Sequence, residues 1–538
     1  MEYKMLNFKA YWHQNRYLII LFLIAVASIV LYYDRDKASN LVIVPDSVEY
    51  ALAGHRFATA CEYKILVGGQ WLPPRYPPWF SVLVIAPAYL IIGLEPGNAI
   101  YPITIFGIMG LIFAFYLGKK IGGYWGGIFA SLILLGLPIY RMWSKYVMTD
   151  VPATTLVLCA CLLYLHLRTQ INANPLIYLL SGFIVAFATS IRPVSISIGL
   201  PFLIFFIYFR QLAQRFQKLI FFIIPIILLI IASLTYNALV FGSPFRSGYH
   251  FWSSVPYDYL HLTFSFSYII TNMILLWKTK IIHFLCMAFV IWLLNRWITS
   301  SKINNQAYPS NIKYIEEFTL FGTAPIVLFH LFYFYPEPRF YLPTLALVVV
   351  IIGSIIGYWF NRFPFLTILT VFIVIVLSQF CTLLEHYKTD HLLNRYAAVK
   401  EILRNTPENA WIISGIEPAY IEYFVAKDSK RRIVPISRNI EYADKLITFK
   451  KVDFPNPPPS NWSDYRRLRL IKGGAKEAIS FVASEQYDNI AKQISSNTKV
   501  FLDTTNITQQ DQAVLNEIKR RFELIRIKKD LFELKNRD

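Results

Sequence analysis

The stretch AIYPITIFGIMGLIFAFYLGKKIGGYWGGIFASLILLGLPIYRMW, residues 99–143, decides the fold. It holds two apolar runs, 99–118 and 124–143, with Lys119-Lys120 between them. A helix needs about twenty apolar residues to cross a hydrocarbon layer about 30 Å thick. The stretch therefore predicts two membrane spans joined by a basic link. Runs of the same kind recur from Tyr17 to about Leu384 and stop after Glu385. Composition agrees, since 56% of the 538 residues are hydrophobic and 16% charged, against about half and about a quarter in a soluble globular protein.

The formal charge of +19 raises the question of nucleic acid. Before His386, however, 25 Lys and Arg stand against 13 Asp and Glu, and the basic residues lie mostly in short links between apolar runs. Such a pattern is a topology signal. The remaining 27 against 20 contain no block of like charge, so nucleic acid is not an expected partner.

Placing Lys4, Lys9 and Arg16 in the cytoplasm predicts about eleven spans, at 17–33, 99–118, 124–143, 153–167, 176–191, 194–209, 219–241, 281–297, 318–334, 342–359 and 366–384. The inside loops then carry Lys119, Lys120, Arg168, Arg210, Arg215, Lys218, Arg296, Lys302, Lys313 and Arg362, so every one is basic. The first run has no small-residue cleavage site and reads as a retained signal anchor. Trp79 to Leu94 is apolar but about sixteen residues long and broken by Pro87. If it crossed, the Lys119 and Arg215 clusters would face outward, so it is expected to lie in the interface as a juxtamembrane or re-entrant helix. This topology describes a multi-pass protein of the plasma membrane, its tail extracytoplasmic. The outer loop 242–280 carries Tyr249, Phe251, Trp252, Tyr257 and Tyr259. These suit either the membrane surface or a substrate groove. The five cysteines, Cys61, Cys159, Cys161, Cys286 and Cys381, are an odd number and mostly apolar in setting. They form no disulfide framework and read as small apolar residues.

The chain divides on this reading into a membrane domain, 1–384, and a soluble α/β domain, 385–538. Strand-like runs at 410–414, 432–437 and 499–504 alternate with helix-like 418–426 and 475–494. A helix at 509–522 leads into a last strand-like run, 524–534. Pro455, Pro457, Pro458 and Pro459 break the domain in two. No Gly-rich phosphate loop follows a strand, so nucleotide binding has little support. Asn461-Trp462-Ser463 and Asn506-Ile507-Thr508 match the N-glycosylation sequon, a pattern short enough to arise by chance.

Ionisable and Pro-containing motifs sit at the outer ends of the spans, where polar groups usually mark a substrate path. Pro45-Asp46-Ser47-Val48-Glu49 opens a helix after the first span. Asp46 fits as its N-cap with Glu49 in capping-box register, and Asp46 is also a candidate base. Arg75-Tyr76-Pro77-Pro78-Trp79 leads into the interfacial segment, its arginine suited to a lipid headgroup or a substrate. Met148-Thr149-Asp150-Val151-Pro152 puts a carboxylate between two spans, as a helix-start residue or a substrate contact. Arg192-Pro193 and Pro336-Glu337-Pro338-Arg339-Phe340-Tyr341-Leu342-Pro343 place arginines at outer ends. A guanidinium fork matches phosphate oxygens, but either arginine could snorkel or pair with a carboxylate such as Glu337.

The order of these motifs resembles the GT-C membrane glycosyltransferases, nearest to the branch of protein O-mannosyltransferases and lipid A aminoarabinose transferases. The resemblance covers about residues 10 to 384. It implies a polytopic α-helical fold and transfer of a sugar from a polyprenyl-phosphate donor to a hydroxyl of a lipid, glycan or protein acceptor at the outer face. It further implies an inverting mechanism with Asp46 as general base and Arg339 on the donor phosphate. Arg75, Tyr76, Asp150, Arg192, Glu49 and Tyr341 join them as expected substrate contacts. Many members have Asp-Glu where this chain has Asp46-Ser47, with Glu49 two residues further on. No cofactor is expected; the superfamily admits a divalent metal, but no cluster of ligands in the sequence calls for one. The competing class is a transporter or flippase of a lipid-linked or anionic substrate, whose inverted repeats are not evident here.

Overall fold

The computed structural model describes residues 45–67, 70–170, 174–207, 212–249, 260–300, 310–360, 398–416, 431–435, 487–505, 507 and 512–537. The expected spans 17–33 and 366–384, the helix-like 418–426, the proline-rich break, Cys381 and the asparagines of both sequons lie outside them. The chain forms two compact units, each discontinuous in sequence. One comprises Met1–Ser39, Ile100–Ile230 and Phe266–His386, the other Asn40–Ala99, Ile231–Ser265 and Tyr387–Asp538.

The first unit is helical. In chain order its principal helices, numbered with α1 (Pro45–Ala60) and α2 (Pro78–Ile92) of the second unit before them, are α3 (Ile100–Gly136), α4 (Pro138–Trp143), α5 (Asp150–Thr169), α6 (Pro175–Ile191), α7 (Pro193–Ile207) and α8 (Leu212–Phe241). There follow α9 (Ser267–Lys278), α10 (Ile281–Ser300), α11 (310–331) and α12 (Pro338–Phe360). The expected spans that fall on described residues each coincide with one of these helices or one arm of α3. By length and composition, four stretches among the described residues suffice to cross a membrane: 97–136, 150–169, 216–241 and 338–360. The pair α9 and α10, bent by 76°, makes a fifth if counted as one span.

The decisive stretch 99–143 folds as a hairpin. Ser131 Oγ donates to the Leu111 carbonyl at 2.8 Å. A Cβ on Gly127 would lie 2.6 Å from the Phe115 carbonyl oxygen, and one on Gly118 would overlap that of Gly126. These pairs converge on Gly123, whose φ of 69° and ψ of −164° break the helix. A left-handed φ there suits only a residue without Cβ. The second arm ends at Gly136, earlier than expected, because Pro138 starts α4. Helix α12 packs into the hairpin through small residues, since Cβ atoms on Gly122, Gly353 and Gly357 would strike backbone of Ser354, Ala130 and Gly126 respectively. Small-residue seams let membrane helices approach closely where no hydrophobic force pulls them together.

Among the described residues, two π turns interrupt helices. Ser81–Ile85 precedes Pro87 and Thr319–Thr323 precedes Pro325. A proline inside a helix lacks the N–H that would reach the carbonyl four residues back, and the widened turn accommodates its ring. In each case the residue before the proline donates five residues back, Ala86 to Ser81 and Ala324 to Thr319.

In the second unit, the tail builds a sheet of β3 (Trp411–Ser414), β4 (Arg432–Pro435), β5 (Val500–Asp503), β6 (Phe522–Arg526) and β7 (Leu531–Asn536), ordered β4-β3-β5-β7-β6. A small hairpin, β1 (Ile65–Val67) and β2 (Gln70–Leu72), follows α1. β3 runs parallel to β4 and β5, while β7 is antiparallel to β5 and β6. The expected single run 524–534 is thus two strands, because Lys528, Lys529 and Asp530 form the turn between them. Side chains alternate between the faces. Trp411, Ile413, Val500 and Leu502 pack with helical residues Tyr487, Ile490, Leu515 and Ile518. Ile412 and Phe501 pack on the other face with Val399, Ile402 and Val48 of α1.

Helix α1 is therefore shared between two surroundings. At 3.6 residues per turn, Asp46, Tyr50 and Gly54 line one face and Val48 with Leu52 the opposite one. The first face meets the 75–92 segment: Tyr50 stacks on Tyr76 with centroids 4.3 Å apart, and a Cβ on Gly54 would lie 2.7 Å from Ile85 Cγ2. The second face is part of the tail's core.

At the carboxyl ends of β3 and β5, Ser414 Oγ donates to Asp503 Oδ2 at 2.7 Å, and the Thr505 N–H donates to Oδ1 at 3.1 Å. Burial nevertheless pushes the Asp503 carboxyl above its ordinary range.

Candidate active site

The expected site residues fall into two clusters, one in each unit. In the second unit, Pro45 opens α1, so Asp46 lies in the first helical turn and not at the cap. Its carboxylate engages Arg75, whose Nη2 is 2.9 Å from Asp46 Oδ1 and 3.4 Å from Glu49 Oε1. Glu49 thus faces the arginine, where the capping-box reading had it turned back to the helix start. Asp46 and Arg75 are each about one-fifth exposed along their side chains, and Glu49 is buried.

The Arg75-Tyr76-Pro77 backbone is fixed from several sides. Tyr63 Oη donates to the carbonyls of Tyr76 and Pro77 at 3.0 and 3.2 Å. Trp79 Nε1 donates to Ser233 Oγ at 2.9 Å. Tyr249 meets Tyr76 edge-on at 5.6 Å, and the Arg75 guanidinium lies 4.7 Å from the Tyr76 ring centre. Burial works against the Arg75 charge, but Glu49, Tyr76 and Asp46 outweigh it and hold the guanidinium well above its ordinary range.

In the first unit, Asp150 opens α5, and its carboxylate is spent on arginines instead of a cap. Arg192 Nη1 lies 2.5 Å from Oδ1, and Arg339 Nη1 lies 3.7 Å from Oδ2. Arg192 is where α6 ends and the Pro193 turn begins; Arg339 belongs to the 3₁₀ turn that starts α12. Helix α4 and the residue after Arg339 add aromatic faces. Arg339 sits 4.8 Å from the Trp143 ring and 5.6 Å from Phe340, and Arg192 is 4.8 Å from Phe340. The anticipated Glu337 pairing is present at 4.0 Å, while Met148 Sδ is 3.7 Å from Arg339 Nη1. Two guanidiniums and two carboxylates thus share a buried, aromatic-walled setting. The Tyr341 hydroxyl is buried close by, with no hydrogen-bond partner among the described residues.

Trp143, Phe340 and His330 are members the sequence reading did not single out. His330 stacks on Phe340 at 4.5 Å and bonds through Nδ1 to the Ile326 carbonyl at 2.8 Å. A lone histidine in an apolar run was the available signal, since ionisable groups at membrane depth are costly. At the far end of α5, about 27 Å away along the helix axis, Arg168 pairs with Glu317 at 3.1 Å. Among the described residues no three His, Cys, Asp or Glu side chains come together as a metal site.

Comparison with known proteins matches residues 76–236 to the family described as dolichyl-phosphate-mannose-protein mannosyltransferase. Comparison with curated protein sequences finds no match. Among solved structures, ArnT from Cupriavidus metallidurans bound to undecaprenyl phosphate is similar with a TM-score of 0.58 at 10% identity, covering 97% of this chain and 98% of that one. The apo state of the same protein gives 0.59 at 10% identity with the same coverage. The likeness thus runs through nearly the whole of both chains, the spans and the strand-containing tail alike. Residues 76–236 thus match a mannosyltransferase family model, and over nearly its whole length the chain has the fold of ArnT.

Proposed function

We propose that this protein transfers a sugar from a polyprenyl-phosphate carrier to a hydroxyl of a lipid, glycan or protein acceptor at the outer face of the plasma membrane. The observation that carries the reading is the Asp46 carboxylate, partly exposed on α1 and oriented by an arginine. Asp46 takes the proton of the acceptor hydroxyl as its oxygen attacks the anomeric carbon. The bond from that carbon to the phosphate oxygen breaks, polyprenyl phosphate leaves, and attack opposite the leaving group inverts the configuration. A positioned base contributes about a hundredfold to ten-thousandfold.

Arg339, with Arg192 beside it on Asp150, stabilises the charge growing on the leaving phosphate. Tyr341 and Tyr76 are assigned to substrate contact. ArnT was crystallised with undecaprenyl phosphate, which supports a lipid-phosphate ligand here. The positive-inside distribution supports an outer-face reaction and an extracytoplasmic tail, 385–538, on a membrane domain, 1–384. A divalent metal stays outside the scheme, because none of its steps needs one.

The test is transfer by purified full-length protein incubated with lipid-linked sugars and acceptor-bearing membranes from the producing cells. Asp46→Asn is expected to abolish transfer while leaving the protein folded; near-normal turnover would remove Asp46 from the role of base.

A further inference from the structure

The sequence reading set Arg75 among the substrate contacts, and the geometry points to a different task. We propose that Arg75 is a positioning residue, a fixed cation that holds Asp46 by one oxygen and is itself held by the buried Glu49. This rests on the reading of Asp46 as general base.

Asp46 and Glu49 are three residues apart on α1, so they lie within about 60° of each other around the helix and a single side chain can reach both. Arg75, distant in sequence, does so with one nitrogen, Nη2, at 2.9 Å from Asp46 and 3.4 Å from Glu49. The trio carries one positive and two negative charges. A phosphate drawn to Arg75 would meet both carboxylates, so the trio suits a neutral hydroxyl better than an anion. The departure from an adjacent Asp-Glu pair then has a physical reading. Ser47 and Val48, the two residues between, are buried, while Glu49 comes back to the Asp46 side after most of a turn.

Arg75 is also placed with little freedom. Its neighbour Tyr76 stacks on Tyr50, one turn beyond Asp46, and Tyr63 ties the next two carbonyls. A Cβ on Gly248 would overlap the Arg75 carbonyl oxygen, so the backbone is covered from that side as well. The dipeptide therefore docks on α1 by charge and by ring at once. A base whose carboxylate is held by a fixed cation has less freedom to lose on reaching the attacking geometry.

Among the described residues, groups facing this pair include Glu49 and Tyr50 from α1, Tyr76 beside Arg75, and Tyr249. Burial holds the Tyr76 hydroxyl well above its ordinary range.

The experiment follows the carboxyl C=O band in pH-difference infrared spectra of the full-length protein in lipid nanodiscs, with the proton as the only probe. The Asp46 band is assigned by its loss in Asp46→Asn. In Arg75→Ala its midpoint is expected to rise by about one pH unit or more, because an adjacent cation is removed. Arg75→Lys, which keeps the charge but not the planar fork, restores most of the original midpoint. Since Arg75→Ala leaves Glu49 buried without its cation, Arg75→Ala/Glu49→Gln is also compared with Glu49→Gln alone, a pair differing only in the cation, and the midpoint should again rise in a fully folded protein. An Asp46 midpoint unmoved in both variants overturns the inference. Transfer surviving in Asp46→Asn would instead sink the base assignment while leaving the measured Arg75–Asp46 coupling as it stands.

Discussion

Val48→Ala tests whether the tail holds the acidic helix. Val48 is 1% exposed and sits in the tail's core with Val399, Ile402, Ile412 and Phe501. Truncation removes two carbons, about 1.6 kcal/mol at roughly 0.8 kcal/mol per buried methylene. The cavity left behind brings the cost to about 2–3 kcal/mol. If α1 exchanges its amides by detaching from the tail, the open state gains by that amount, or roughly thirty- to 160-fold in population. Hydrogen–deuterium exchange of the full-length protein in detergent, read by mass spectrometry, would show faster exchange in peptides covering 45–60 and in the sheet strands β3 and β5. Peptides covering α12 should not change. Asp46 is two residues from the lesion, so transfer should fall without loss of donor binding. Unaltered exchange over 45–60, or an increase spread evenly through the chain, would refute the reasoning.

Arg339→Ala is expected to weaken binding of the lipid-phosphate donor by roughly ten- to a hundredfold, the loss of a charge-assisted contact, measured by titration with polyprenyl phosphate; unchanged affinity counts against the phosphate assignment. Gly122→Ala should destabilise the first unit by about 1–3 kcal/mol through overpacking, because its Cβ meets the Ser354 backbone, whereas Gly97→Ala, with open space around it, should be silent. A thermal-shift comparison by fluorescence-detected size exclusion decides between them. Asp503 has a folded pKa raised by burial. The native state therefore binds more protons than the unfolded one above the ordinary value of 3.8, and stability falls as pH rises from there through the folded pKa and stays lower beyond it. Asp503→Asn should remove this part of the pH dependence in denaturant melts of the full protein, and an identical profile would show that Asp503 does not contribute it.

The Arg192 and Arg339 contacts of Asp150 and the Arg75 contact of Asp46 share one design. In each, a carboxylate at the start of a helix is met by a guanidinium from a Pro-containing turn, Arg192-Pro193, Pro338-Arg339 or Arg75-Tyr76-Pro77. Proline restricts the backbone of such turns, so each arginine leaves the chain from a rigid base. That explains why the outer-end motifs were visible as Arg and Pro in the sequence, and why their roles were not. The sequence reading treated each arginine as a candidate for the substrate. The fold shows carboxylates as their near partners.

Much of the architecture was present in one dimension. An apolar run of about twenty residues and a basic link are local properties, so helices α3, α5 to α8 and α10 to α12 could be anticipated from the chain alone, as could three short strands of the tail, whereas α9 formed within the expected outer loop 242–280. The helix-end positions of Asp46, Asp150, Arg192 and Arg339 followed in the same way. What the chain alone could not contain was partnership across distance. Asp46 and Arg75 lie on either side of the β1–β2 hairpin, and Val48 meets Phe501 from the opposite end of the sequence. Such pairs depend on how helices and sheet close over one another, and that closure alone decided that α1 is gripped by Arg75 on one face and by the tail on the other.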